Sequence, residues 1–201
     1  MQKRIPRAEQ VHRNREQVLA AARKVFLSSG YGAATLDQIA DAAGFSKGVV
    51  YSQFESKADL FLALLDRRIA ERAAENEGIA KRAHGAAGMK AMIATAQRDT
   101  ETERDWALVL LEFRLQAARD PELRRRYAEL HRRTLAGVRA TIETIFAGSA
   151  SESLAEPAGY SAVLVLALIA GLVIERESET PLPQAVIDRA LERLLGAEPA
   201  S

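Results

Sequence analysis

Cysteine is absent from this 201-residue chain. That excludes a disulfide framework, a thiolate nucleophile and any cysteine-ligated zinc site. Aromatic residues make up only 5%, with a single tryptophan, and there are 6 prolines. Neither sign of charge is in excess, because 28 Lys and Arg face 27 Asp and Glu for a formal net charge of +1. A purely basic nucleic-acid tail is thereby excluded as a description of the whole. Long hydrophobic runs are missing too. The longest, Ala162 to Ile174, stops at Glu175-Arg176-Glu177 and falls short of the roughly 20 residues a bilayer core demands. It reads as a buried helix or an interface. The opening Met-Gln-Lys-Arg-Ile-Pro-Arg is no signal peptide, so the expected location is the cytoplasm, with no membrane partner.

What is present is ordinary globular material. The apolar share of 48% and the charged share of 27% match folded-domain averages and exclude disorder or a collagen-like repeat. A chain of this length buries about 70% of its unfolded surface. Its apolar residues recur at helical spacing almost throughout, as in Val18, Ala21, Ala22, Val25 and Phe26. No convincing period-2 alternation appears. The fold class expected is therefore all-α, with about nine helices, and no solenoid repeat is present. Local signals mark the helix ends. Gly30 and Gly44 suit C-terminal stops, Thr35 with Gln38 and Ser56 with Asp59 have capping-box spacing, Ser46 suits an N-cap, and Asp120-Pro121 opens a long helix. Helices are expected around Met89–Ala96, Trp106–Ala117, 121–145, 158–177 and 184–196, with Gly148 to Pro157 as a loop. Short helices give way to longer ones near residue 60, so the expected division is a head over 1–60 and a helical body over 61–201.

The stretch Thr35-Leu-Asp-Gln-Ile-Ala-Asp-Ala-Ala-Gly44-Phe-Ser-Lys-Gly-Val-Val-Tyr-Ser-Gln-Phe54 carries the chemistry. Two short helices joined by a tight turn at Gly44 make a helix-turn-helix. Ala40 permits a close crossing, Gly44 permits positive φ, and Ile39, Ala43, Phe45 and Val50 form the apolar wedge. The second helix is left with Lys47, Gly48, Val49, Tyr51, Ser52 and Gln53 to expose. One cation, small residues, hydroxyls and an amide suit a major groove, where phosphates take donors and base edges take short polar or methyl contacts. Helix N-termini at Thr35, Ser46 and Ser56 offer further amides to phosphates.

Residues 13–61 closely resemble the DNA-binding domain of TetR-family transcriptional regulators. The resemblance lies in Ala-Arg-Lys-Val-Phe26-Leu-Ser-Ser-Gly30-Tyr31, then Thr35, Ile39, Ala40, Ala43, Gly44, Ser46, Gly48, Tyr51, Phe54, Ser56, Lys57 and Leu60 in register. It covers about a quarter of the chain. It implies phosphate contacts by Thr35, Tyr51 and Lys57 and groove contacts by Ser46, Lys47, Gly48 and Val49. The sequence departs at Val49, Ser52 and Gln53, where the family often has Thr or Ala, Tyr or His, and His or Tyr. Those positions lie near bases, so an operator preference does not transfer.

Other readings weigh less. Gly44-Phe-Ser46-Lys-Gly48 spells a G-x-S-x-G elbow, but that motif follows a strand and needs a later catalytic histidine. Here a helical pattern precedes it, and His84 and His131 lie in charged helical surroundings. With no H-E-x-x-H, dinucleotide or Walker-type loop, neither enzyme activity, a metal nor a cofactor is expected. Arg124-Arg125-Arg126 and Arg132-Arg133 read as a solvated helix face beside Glu122 and Glu129. The N-terminal arm differs. Residues 1–24 hold seven cations against two anions, a net +5, and Arg4 and Arg7 are expected on the DNA backbone or in a minor groove.

A reader with one recognition helix gains from a two-fold partner, which supplies a second half-site. The 158–177 and 184–196 helices, apolar on more than one face, are expected to pair as an isologous four-helix interface. It would centre on Leu166, Ile169, Ala170 and Val173 with Leu191 and Leu194. The resemblance also implies a small-molecule cavity among the middle helices, for which Met89, Met92, Trp106, Leu110, Phe113 and Tyr127 supply an apolar wall. The function expected is a homodimeric repressor that binds a palindromic operator in double-stranded DNA and is released by an unidentified, apolar effector. The competing reading is an all-α dimeric interaction module without specific DNA binding. Charge supports the first: residues 1–60 sum to +3 and the remainder to −2, a basic reader on a mildly acidic body.

Overall fold

The structure, a computed structural model, describes residues 6–96, 101–147 and 158–176, with positions 183, 185, 186, 189 and 190 beyond them. Among the described residues eight helices follow in order: α1 (Arg7–Ala33), α2 (Leu36–Ala43), α3 (Lys47–Tyr51), α4 (Lys57–Ala80), α5 (Gly85–Ala96), α6 (Glu101–Arg119), α7 (Pro121–Phe146) and α8 (Ala158–Arg176). No strand occurs among the described residues. The all-α expectation holds. The ninth helix, expected over 184–196, lies largely outside the described residues, as do Arg4, Leu191 and Leu194.

Local chemistry sets the helix boundaries. The Thr35 hydroxyl accepts the Gln38 amide at 3.2 Å while the Gln38 side chain accepts the Thr35 amide at 2.9 Å, a complete capping box. Gly44 ends α2 in the left-handed region, at φ 71° and ψ 27°, and its amide returns to the Ala40 and Asp41 carbonyls. Asp120 Oδ1 accepts the amides of Glu122 at 2.9 Å and Leu123 at 3.0 Å, with Pro121 filling the first helical position of α7. Ser46 departs from expectation. It stands at the N-cap of α3, but its hydroxyl makes no capping bond. Gly30 is also more than a stop, because α1 continues to Ala33 past a break there at φ 74° and ψ 168°.

The chain folds into two compact units. The first comprises residues 1–68 with 108–127, and the second 69–107 with 128–201. The head expected over 1–60 thus lies inside a unit that runs on to Arg68 and includes parts of α6 and α7. An aromatic cluster centres this unit. Phe61 meets Phe26 edge-on at 5.2 Å and Phe113 at 4.6 Å, and Tyr31 meets Phe113 edge-on at 5.1 Å. Each such pair adds about 0.5–1.5 kcal/mol beyond the area it buries. The second unit is built on Met89, Met92 and Ile93 of α5, Val138, Ile142 and Ile145 of α7, and Ala158, Ala162, Val165 and Leu172 of α8.

Candidate nucleic-acid interface

The helix-turn-helix is anchored by buried side chains on both of its helices. Ile39 of α2 and Val50 of α3 are both 0% exposed, and Ala40 beside them is 1% exposed. A larger side chain at 40 would hold the helices apart. Ala43 and Phe45, expected in the same wedge, are half-buried. With Val50 turned inward, α3 leaves Ser46, Lys47, Gly48, Tyr51 and Ser52 exposed, and Val49 and Gln53 half-buried. The seven groove residues expected from the sequence therefore lie on or beside one short element, and Tyr51 is 50% exposed. Gln53 carries its amide oxygen buried without a hydrogen-bond partner, so the group it can offer a ligand is the amide N–H.

Lys47 is not a free cation. Its ammonium lies 2.5 Å from Asp37 Oδ2 on α2, and that hydrogen bond and charge raise its pKa. The other Asp37 oxygen is buried with no hydrogen-bond partner. Sequence reading placed Lys47 on DNA but passed over Asp37. The one available signal was that 35–53 holds one cation and two anions.

Two residues expected on phosphates also have work inside the head. The Thr35 hydroxyl is engaged in its capping box and lies 3.1 Å from Gln38 Oε1. Lys57 turns to the end of α1, donating to the Tyr31 carbonyl at 2.7 Å and the Gly32 carbonyl at 2.9 Å. Its ammonium stands 4.7 Å from the centre of the Tyr31 ring. Burial lowers its pKa, while the Glu112 carboxylate pulls the other way. From α6, Glu112 accepts the Gly32 amide at 2.9 Å. The segment from Gly30 to Gly32 is thus gripped by an anion at its N–H and a cation at its carbonyls. Nearby, Ser56 Oγ accepts the Asp59 amide at 3.1 Å, and Arg126 of α7 pairs with Asp59 at 2.6 Å. Glu112 and Arg126 were missed because nothing local in the sequence connects them to positions 32 and 59.

The basic arm is partly neutralised. Arg13 pairs with Glu9, Glu16 with Arg67, and the Arg15 guanidinium covers the Phe54 ring at 4.4 Å. Arg7 is exposed. The six residues expected to form a ligand wall do not share one unit. Met89 and Met92 belong to the core of the second, where Trp106 is also buried, whereas Leu110, Phe113 and Tyr127 belong to the first. Phe113 and Tyr127 meet edge-on there at 5.8 Å as part of the first unit's aromatic cluster. On α8, Leu166 and Ile169 are partly buried against the second unit's core and Ala170 is half-buried. The Val173 side chain lies outside the described set. The exposed apolar side chains of α8 are instead Tyr160 at 66%, Val163 at 48%, Leu164 at 40% and Ile174 at 54%, which recur along one stripe of the helix.

No helix among the described residues is long and apolar enough to cross a membrane. Residues 18–64 match the profile of bacterial regulatory proteins of the tetR family, and residues 85–197 match that of the BetI-type transcriptional repressor C-terminal region. The chain is 50% identical over 66 residues to the HTH-type transcriptional activator FasR of Mycolicibacterium smegmatis, covering 33% of this chain and 28% of that one. It is 34% identical over 124 residues to the HTH-type transcriptional repressor AcnR of Corynebacterium diphtheriae, covering 60% and 58%. The matches span less than two thirds of these curated relatives. A transcriptional regulator from Rhodococcus sp. Rha1 superposes with a TM-score of 0.71 at 26% identity, over 91% of this chain and 94% of that one. With a matched reader at its N-terminus and a matched regulatory region over more than half its length, the chain belongs to the TetR family of bacterial transcriptional regulators.

Proposed function

We propose that this protein is a sequence-specific, homodimeric repressor that acts on DNA in the cytoplasm and is released from a palindromic operator by a small molecule. The observation that carries the reading is α3 itself. It is anchored by Val50 and presents Ser46, Lys47, Gly48, Tyr51 and Ser52 outward, the short donor-rich set a major groove accepts. Val49 and Gln53 flank it, Thr35 caps α2 beside it, Lys57 keeps one ammonium N–H for a phosphate beyond the two given to carbonyls, and Arg4 and Arg7 are assigned to the DNA backbone. Relatives named both repressor and activator occur, so the sign of regulation rests on the BetI-type repressor match.

Dimerisation is assigned to α8, through the stripe of Tyr160, Val163, Leu164 and Ile174 rather than through Leu166 and Ile169. Val163→Glu should leave a folded monomer by sedimentation, whereas an unchanged dimer would refute the assignment. The effector is apolar and belongs with Met89, Met92 and Trp106 in the second unit, since methionines repack readily around an apolar guest. A ligand that binds the DNA-incompetent arrangement better shifts the population off the operator.

Selection from random duplex DNA tests the central reading. An inverted repeat should emerge, with half-sites about 34–36 Å apart or a multiple of that, and affinity should fall steeply with salt. Failure to enrich any sequence would leave the interaction-module reading in its place.

A further inference from the structure

The recognition segment is poor in positive charge for a DNA reader. Residues 35–53 hold Lys47 as their one cation against Asp37 and Asp41, and Lys47 is held at 2.5 Å by Asp37. Lys47 is the one hydrogen-bond partner of the Asp37 carboxylate among the described residues, and the second carboxylate oxygen is buried without any. Drawing the lysine away to a phosphate would strand a partly desolvated carboxylate. The contact also crosses the turn, from the first turn of α2 to the first residue of α3, so it fixes where the lysine stands as well as its net charge.

Resting on the DNA-binding reading above, we propose that Asp37 is a specificity-determining, positioning residue of the head. Its carboxylate cancels the Lys47 charge and pins that lysine at the start of α3, which keeps it from being spent on phosphates of random sequence. Non-specific affinity is supplied by phosphate neutralisation, with a salt slope of about −0.9 for each contact. A lysine tied to a carboxylate releases no counterion. At a cognate site the same lysine is already placed at the groove, so cognate binding gains from the restraint that random binding suffers from.

Affinity for cognate and random duplexes, each measured across a salt series, tests this. Asp37→Asn should steepen the random-DNA slope by about 0.9 and tighten random binding several-fold at low salt, so that the cognate-to-random ratio falls. Asp37→Glu, which keeps the charge, should retain the wild-type slope and ratio. Asp41→Asn removes an anion of the same helix without freeing Lys47, and should leave the slope short of the Asp37→Asn value. Adding Lys47→Met to Asp37→Asn should return the slope to its wild-type value. A purely structural role for Asp37 would weaken both duplexes and never tighten random binding. Equal slopes for wild type and Asp37→Asn, or equal effects at 37 and 41, overturn the proposal alone. A wild-type chain with no salt-dependent duplex binding overturns the DNA-binding reading and this proposal together.

Discussion

Gly30 and Gly44 both hold positive φ, at 74° and 71°, yet alanine should cost far more at the first. At Gly44 an added Cβ meets nothing within 4 Å. The penalty is therefore conformational alone, about 1–2 kcal/mol for a left-handed residue, offset by about 0.4–1 kcal/mol because alanine reduces the entropy of the unfolded chain. The net loss is about 1 kcal/mol. At Gly30, ψ is 168°, a region essentially reserved for glycine that costs about 1–3 kcal/mol to impose on another residue. A Cβ there would also stand 2.7 and 2.9 Å from the two Glu112 carboxylate oxygens. The carboxylate must then retreat from the Gly32 amide it holds at 2.9 Å, forfeiting a charged hydrogen bond of about 1.5–3 kcal/mol. The combined cost is about 3–4 kcal/mol. Urea denaturation of both variants, with amide exchange at Gly32 as the local readout, measures the difference. The clash can be isolated by repeating Gly30→Ala in a Glu112→Ala background, where only backbone strain should remain and the two changes should be strongly non-additive. A Gly30→Ala loss no larger than that of Gly44→Ala, or an additive cycle, would refute the clamp.

Three further outcomes are expected. Gly88→Ala places a Cβ 2.6 Å from the Ala83 carbonyl oxygen and 2.8 Å from Ile145 Cγ2. This overpacking should destabilise the second unit by about 1–3 kcal/mol, visible as a lower melting temperature. Burial works to raise the pKa of Asp59, but hydrogen bonds from Ser56 and Arg126 and the charge of Arg126 outweigh it and hold it below 3.8. Its contribution is full above pH 3.8 and is lost as pH falls through the lower folded value, so Asp59→Asn should flatten the acid limb of a stability-versus-pH curve. Burial, and then the Asp59 charge, push the Tyr31 phenol from 10.0 up to about 12. That stability is intact below pH 10 and drains away as pH climbs toward 12, a loss that Tyr31→Phe should abolish in an alkaline denaturation series.

The interval from Thr35 to Phe54 was legible because each of its signals acts over a few residues. A capping box needs only positions 35 and 38, a left-handed stop needs only a glycine at 44, and inward-facing Ile39 and Val50 follow from helical period. The same holds for Asp120-Pro121. Ser46 shows where a local signal fails, since serine at an N-cap is permitted to bond the next turn but is not compelled to. α8 was harder for a different reason. A helix apolar on every side carries no polar face to mark which side is inward, so Leu166 and Ile169 could not be told from Tyr160, Val163 and Ile174 without their neighbours.

The eight described helices, the caps at Thr35 and Asp120, the turn at Gly44 and the family were thus determined by the sequence itself, because periodicity and capping are properties of adjacent residues. Tertiary structure alone decided that Glu112 reaches Gly32 across 80 positions, that Lys57 serves the carbonyls of α1, that Phe113 and Tyr127 join the aromatic cluster of the first unit, and that Asp37 holds Lys47. These are contacts between charges and rings brought together by folding. Their distances follow from how the helices pack, and no spacing along the chain encodes them.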